Sequence, residues 1–319
     1  MDEDSSDVTP EAGGTTSDAV APAAASAPVP VPALVPEPEP APGAQPEPET
    51  RAARRARRDA VLHEPVLPAL ATVPRPVTVA ATVVLAGLLI LALVADPVLL
   101  AAGLAWAGIV VAWGWPAVHG SSSRFGSSLA IGVPAVLAPA AGVASPEEPY
   151  LRLVPVALII GLAIMFGHQI LRRDGRPRLT DSIGVTSFGL AVIALGTTWL
   201  PLSRGDFTTQ IAVVAFVAIA TASFADLGAG MAALRPWMLP AAMLLGGLGA
   251  IIAASVIDGP GVAPAALVGF VCAAVSHAMR RVHSVLPAIT TVKSQMSSAA
   301  AALLVPGVVA YGLSLLIIG

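Results

Sequence analysis

From residue 76 to residue 319 the chain places only 19 Asp, Glu, Lys or Arg side chains in 244 positions, about 8%. No other feature constrains its fold as strongly. A soluble domain draws about a quarter of its residues from these four types, and it needs them to dress its surface. A stretch this long with so few charges cannot face water on all sides. That excludes a soluble enzyme, a secreted disulfide scaffold and a nucleic-acid binder for this part of the chain. The expected class is all-α, a polytopic helical bundle whose principal partner is the lipid bilayer.

The remaining residues divide sharply. Residues 1–50 hold ten Asp/Glu, no Lys or Arg, and 11 of the 30 prolines. Such a segment buries too little apolar area to offset its ordering entropy. It reads as an acidic, disordered, Pro/Ala-rich tail, with polyproline II favoured over Pro36–Pro40. It lacks the basic start and apolar stretch of a signal peptide. Residues 51–75 form a basic juxtamembrane segment that contains Arg51, Arg54, Arg55, Arg57 and Arg58. Three readings fit these arginines: contact with anionic phospholipid, at about 1 kcal/mol each, a topology signal holding this side in the cytosol, or contact with the acidic tail.

A spanning helix needs about 20 mostly apolar residues. Nine stretches qualify: about 76–95, 98–117, 128–144, 151–171, 182–202, 208–226, 237–256, 263–279 and 299–318. The third is short and carries Pro134 and Pro139, so it is either a kinked span or a re-entrant piece lining a cavity. If all nine cross and the N-terminus is cytosolic, fifteen Lys/Arg fall on the cytosolic side and only Arg152 and Arg204 outside. This asymmetry is the positive-inside pattern. It predicts N-in, C-out insertion in a plasma membrane. Sixteen arginines against one lysine point to a GC-rich bacterial source. Trp113, Trp115, Tyr150, Trp199 and Trp237 fall near span ends, where headgroup anchoring is expected. Ala242, Gly246, Ala250 and Ala254 mark one face of the seventh span for close helix approach, within the chain or between copies.

Polar chemistry concentrates at the cytosolic ends. His168 closes the fourth span, Asp226 the sixth and His277 the eighth. Ionisable groups in spans are costly and carry a functional hypothesis. These three are the expected cytosolic-face polar cluster, suited to proton relay, metal binding or phosphate handling. The loop bearing Arg172, Arg173, Arg176 and Arg178 is a second candidate for lipid-headgroup contact or topology. The single cysteine, Cys272, permits no internal disulfide or cysteine metal site. No ATP-binding loop or common hydrolase motif is present. The expectation is therefore no metal and no cofactor.

The chain resembles bacterial multi-pass membrane proteins. Over residues 215–319 it also resembles phosphatidate cytidylyltransferase, through Ser223-Phe224-Ala225-Asp226-Leu227-Gly228 and through Arg280-Arg281, Lys293 and Ser297-Ser298. The resemblance implies a cytosolic-face lipid enzyme with a signature loop between its last two spans. That loop here carries no carboxylate, so divalent-metal phosphoryl chemistry lacks a ligand set. The leading expectation is a permease-like protein that binds or moves a small molecule or lipid. The alternatives are a membrane-embedded lipid or polyprenyl-phosphate enzyme, active or degenerate, and a scaffold whose acidic tail recruits a partner.

Overall fold

The structure is a computed structural model that describes residues 75–318 apart from 146, 173–177 and 258. The tail, the juxtamembrane arginines at 54, 55, 57 and 58, and Arg173 and Arg176 lie outside the described residues. Among the described residues, nine helical stretches are long and apolar enough to cross a membrane. The protein is an all-α integral membrane protein.

The first four spans are α1 (Pro76–Ala95), α2 (Pro97–Val118), α3 (Arg124–Val143) and α4 (Val154–Leu171). The fifth is α5 (Leu179–Gly196) continued by the one-turn α6 (Trp199–Leu202). The sixth is α7 (Asp206–Ser223) with a 3-10 extension, Phe224–Gly230. The seventh and eighth are α8 (Met238–Val256) and α9 (Val262–Ser284). The ninth is split into α10 (Val292–Leu304) and α11 (Gly307–Ile318).

Local chemistry sets the borders. Asp96 separates α1 from α2, and its carboxylate accepts from Val98 N at 2.6 Å. Pro97 then opens α2 without losing a needed donor. Thr291 caps α10 in the same way by accepting from Ser294 N. Short connections make consecutive spans run antiparallel.

Two helices form the centre. In α7, residues 211–216 are all buried, and Phe216 and Ile219 are fully enclosed. In α10, residues 297–304 are all buried. Around them, α1 exposes Leu88, Leu91 and Val94, and α4 exposes Val156, Ile159 and Ile170. In water such faces would aggregate; in a bilayer they meet acyl chains. The small-residue face of α8 packs within the chain. Gly246 lies against Ala273 and Gly269 of α9, and Gly269 lies against Ala250. That face is occupied, so the second use read for it, between copies, does not hold.

Three expectations are corrected. The third span is not short: α3 runs 20 residues with Pro134 and Pro139 buried inside it. The ninth span starts at Val292 rather than near 299, and is interrupted. Trp115 and Trp199 are fully buried and anchor nothing at the headgroups, whereas Trp113 and Trp237 are exposed.

Candidate functional site

Helix α9 extends past the expected end of the eighth span. It carries Ser276, His277, Arg280, His283 and Ser284 on one buried face. The i, i+3 and i, i+4 spacing aligns them. On the sixth span, the 3-10 extension turns the Asp226 side chain inward, where it is fully buried. Arg280 Nε donates to Asp226 Oδ2 at 2.6 Å, and both side chains are shut from solvent. Arg280 Nη1 donates to Ser276 Oγ at 2.6 Å. His277 Nδ1 lies 3.2 Å from Asp226 Oδ1, off the line of a hydrogen bond.

Arg75, at the start of α1, closes the group. Its Nη1 donates to the Arg280 carbonyl at 3.1 Å. Burial pulls the Arg75 pKa below the ordinary arginine value, and the Asp226 carboxylate opposes that shift. The guanidinium stays charged. Two buried guanidiniums therefore face one buried carboxylate. Arg75 Nε and Arg280 Nη2 have no hydrogen-bond partner among the described residues.

A second layer ties this group to α10. Gln295 Oε1 accepts from Thr78 N at 3.3 Å. His283 Nδ1 and Ser298 Oγ are 2.9 Å apart, and Ser297 Oγ donates to the Val111 carbonyl at 3.2 Å. Ser297 and Ser298, read from sequence as loop residues, are thus buried in α10. Next to them Trp115, His119, Phe188 and His283 form a ring cluster. Trp115 stands 4.4 Å from His119 and 5.3 Å from His283 between centroids. The Trp115 indole N–H donates to the Val185 carbonyl at 2.8 Å. Burial lowers the His119 pKa to about 4, so the imidazole is neutral at ordinary pH.

His168 lies elsewhere. It is half-buried on α4, pressed against Gly126 of α3, with its ring 6.4 Å from Phe125. Hydroxyl contacts join α3, α4 and α5 at this end of the bundle. Ser121, Ser127 and Thr186 form a chain with spacings of 3.2 and 2.8 Å, and Gln169 Nε2 donates to Ser182 Oγ at 2.9 Å. The structure therefore brings Asp226 to His277 and leaves His168 apart, on α4 against α3. Arg172 Nη1 donates to Gln169 Oε1 at 3.3 Å. Arg178 is exposed and paired with Asp181 at 2.7 Å.

All these groups share one end of the bundle, where odd-numbered spans begin and even-numbered spans finish. Between the two ends, the described helices carry no Asp, Glu, Lys, Arg or His. Sequence reasoning missed Arg280, Arg75 and His283 as members of the cluster. For Arg280 and His283 the signal was the α9 spacing, which was cut off by ending the span at 279; Arg75 precedes the first span and carries no such signal.

A different polar feature lies in the apolar body. Trp199 Nε1 donates to the Leu303 carbonyl at 3.1 Å. This bond joins the interruption between α5 and α6 to the one between α10 and α11. Gly196 packs on Leu304, and Gly307 packs on Thr198 and Trp199. Pro306 brings no N–H, so the Ala302 carbonyl has no helical donor. Two broken helices therefore meet at their breaks.

Comparison of the chain with protein-family models, curated proteins and solved structures finds no match.

Proposed function

We propose that this is a permease-like plasma-membrane protein that binds or moves a small molecule or lipid, inserted N-in and C-out. The observation that carries the reading is the contact between the two interrupted helices, the fifth and the ninth spans. Transporters build sites from discontinuous helices because freed carbonyls and N–H groups supply polar ligands at a depth where side-chain charge is too costly. The proline-bearing third span, which first suggested a cavity, no longer carries this argument. In this reading the Asp226–Arg280–Arg75 group is a latch. It holds the cytosolic ends of the first, sixth and eighth spans together, and its opening gives access from that side.

The lipid-enzyme alternative is weaker on this geometry. The Asp226 carboxylate is fully buried and committed to Arg280, so it is poorly placed to hold a metal–phosphate substrate.

Cysteine accessibility tests the permease reading. The sole native cysteine, Cys272, is fully buried and is replaced by alanine as the background. Thr198→Cys and Val305→Cys report on the two breaks. In oriented membranes both react with a water-borne maleimide, and Asp226→Asn accelerates reaction from the cytosolic side. Two cysteines inert from both sides, with and without Asp226→Asn, overturn the reading. A phosphatase reporter fused after Gly319 tests orientation, with activity expected only outside the cytosol.

A further inference from the structure

A separate pocket opens at the same end of the bundle as the latch, between the end of α2, the start of α3 and the start of α10. Its volume is about 320 Å³. Its lining includes Arg124 and Lys293 together with the hydroxyl residues Ser128, Thr291 and Ser294. The chain places Arg124 and Lys293 in different thirds of the membrane domain; folding brings both to one cavity. No carboxylate lines it.

The two cations lack anionic partners among the described residues. Arg124 makes no ion pair, and Lys293 Nζ rests 4.9 Å above the centroid of the Trp113 ring. Trp113 is half-exposed, as suits a ring at headgroup level. An indole face steadies an ammonium without neutralising it. The ammonium therefore stays available to an anion while its position is held.

The donors around the cations match an oxyanion. Helix α10 begins at the pocket; Thr291 caps the Ser294 N–H, and the Val292 and Lys293 N–H groups before it have no acceptor one turn earlier. The Thr291 and Ser294 hydroxyls stand 2.9 Å apart at that terminus. A fork of N–H donors on Arg124, a point charge on Lys293 and hydroxyls between them suit a tetrahedral phosphate. A positive-inside signal needs only charges on one side of the membrane. It does not require two unpaired cations to converge on one carboxylate-free cavity.

The geometry points to a binding site for one phosphate group, carried either by an anionic phospholipid headgroup or by a soluble phosphate ester, in the pocket of Arg124, Lys293 and Ser128. It is independent of the permease reading and of the Asp226 latch.

The test uses the full chain purified in detergent. Native mass spectrometry compares retention of dioleoyl phosphatidylglycerol and dioleoyl phosphatidylcholine, and calorimetry titrates glycerol 3-phosphate. Wild type retains the anionic lipid over the zwitterionic one, binds glycerol 3-phosphate, or does both. Arg124→Gln and Lys293→Gln each weaken that binding by about tenfold, the loss of one charge-assisted contact. Arg235→Gln removes an equal charge outside the pocket and leaves binding unchanged. Displacement of lipid by glycerol 3-phosphate identifies the phosphate itself as sufficient. Binding of lipid alone identifies the headgroup as the source. Either result supports the site. Failure to bind both ligands, or equal weakening by Arg235→Gln, overturns it. Arg124 is exposed and Lys293 half-exposed, so neither single variant threatens the fold.

Discussion

Arg280 and Asp226 lie 54 positions apart in the chain and meet at 2.6 Å with neither side chain reached by solvent. The pair fastens the end of the eighth span to the end of the sixth, and Arg75 fastens the first span to both. Removing one charge from such a group leaves the other buried without compensation.

Asp226→Asn is therefore expected to destabilise the protein by about 3–5 kcal/mol. The thermal unfolding midpoint in detergent reports it. Arg281→Gln, one position from Arg280, changes stability by less than about 0.5 kcal/mol. Joint replacement, Asp226→Leu with Arg280→Met, recovers part of the loss because no charge is left stranded. Equal midpoints for wild type and Asp226→Asn would mean that the pair holds nothing together.

The meeting of the broken helices makes a graded prediction. Trp199 stacks on Phe216 with centroids 4.1 Å apart, besides donating to the Leu303 carbonyl. Trp199→Phe keeps most of the ring and loses the hydrogen bond, at a cost of about 1 kcal/mol. Trp199→Ala loses both and costs about 3–5 kcal/mol. In Gly307→Ala the new methyl group meets Trp199 Nε1 at 2.7 Å and Thr198 Oγ1 at 2.8 Å. That variant should fall between the other two in unfolding midpoint.

Gly126 and His168 should show strong coupling. A methyl group on Gly126 overlaps the His168 ring. Gly126→Ala is expected to cost about 1–3 kcal/mol through overpacking. Adding His168→Ala frees the space and returns most of that cost. Additive losses in this double-mutant cycle would refute the contact.

A pH dependence follows from His119. Burial lowers its pKa from 6.5 to about 4. The folded protein thus favours the neutral ring, and the unfolded chain binds the proton first as pH falls. Stability from this group is intact above about pH 6.5 and is lost progressively down to about pH 4. His119→Phe should flatten this part of the stability–pH curve in detergent. An unchanged slope would show that His119 titrates normally.

The spans were legible because a helix is a local object. Each needs only a run of apolar residues long enough to cross, and Asp96-Pro97 marks a border whatever surrounds it. Errors arose where packing overrode local pattern. Pro134 and Pro139 looked like breaks, yet neighbouring helices enclose them and α3 continues. Val305-Pro306 drew no notice within an apolar run, and there the helix does break. Trp115 and Trp199 matched the anchor pattern, but inward-facing backbone carbonyls took up their indole N–H groups.

Arg280 and Arg281 show where sequence reading stops. Both belong to the same positive-inside count, and both suit the end of a span. A turn of about 100° per residue along α9 aims one at Asp226 and leaves the other half-exposed. The same distinction separates Asp226–His277 from His168. Sequence alone determined a charge-poor, nine-span helical chain with its ionisable groups gathered near the helix ends, because burial cost depends on composition and run length. Only the tertiary structure decided which of those groups share a site, because that depends on the rotation and neighbours of each helix, which helices distant in the chain impose.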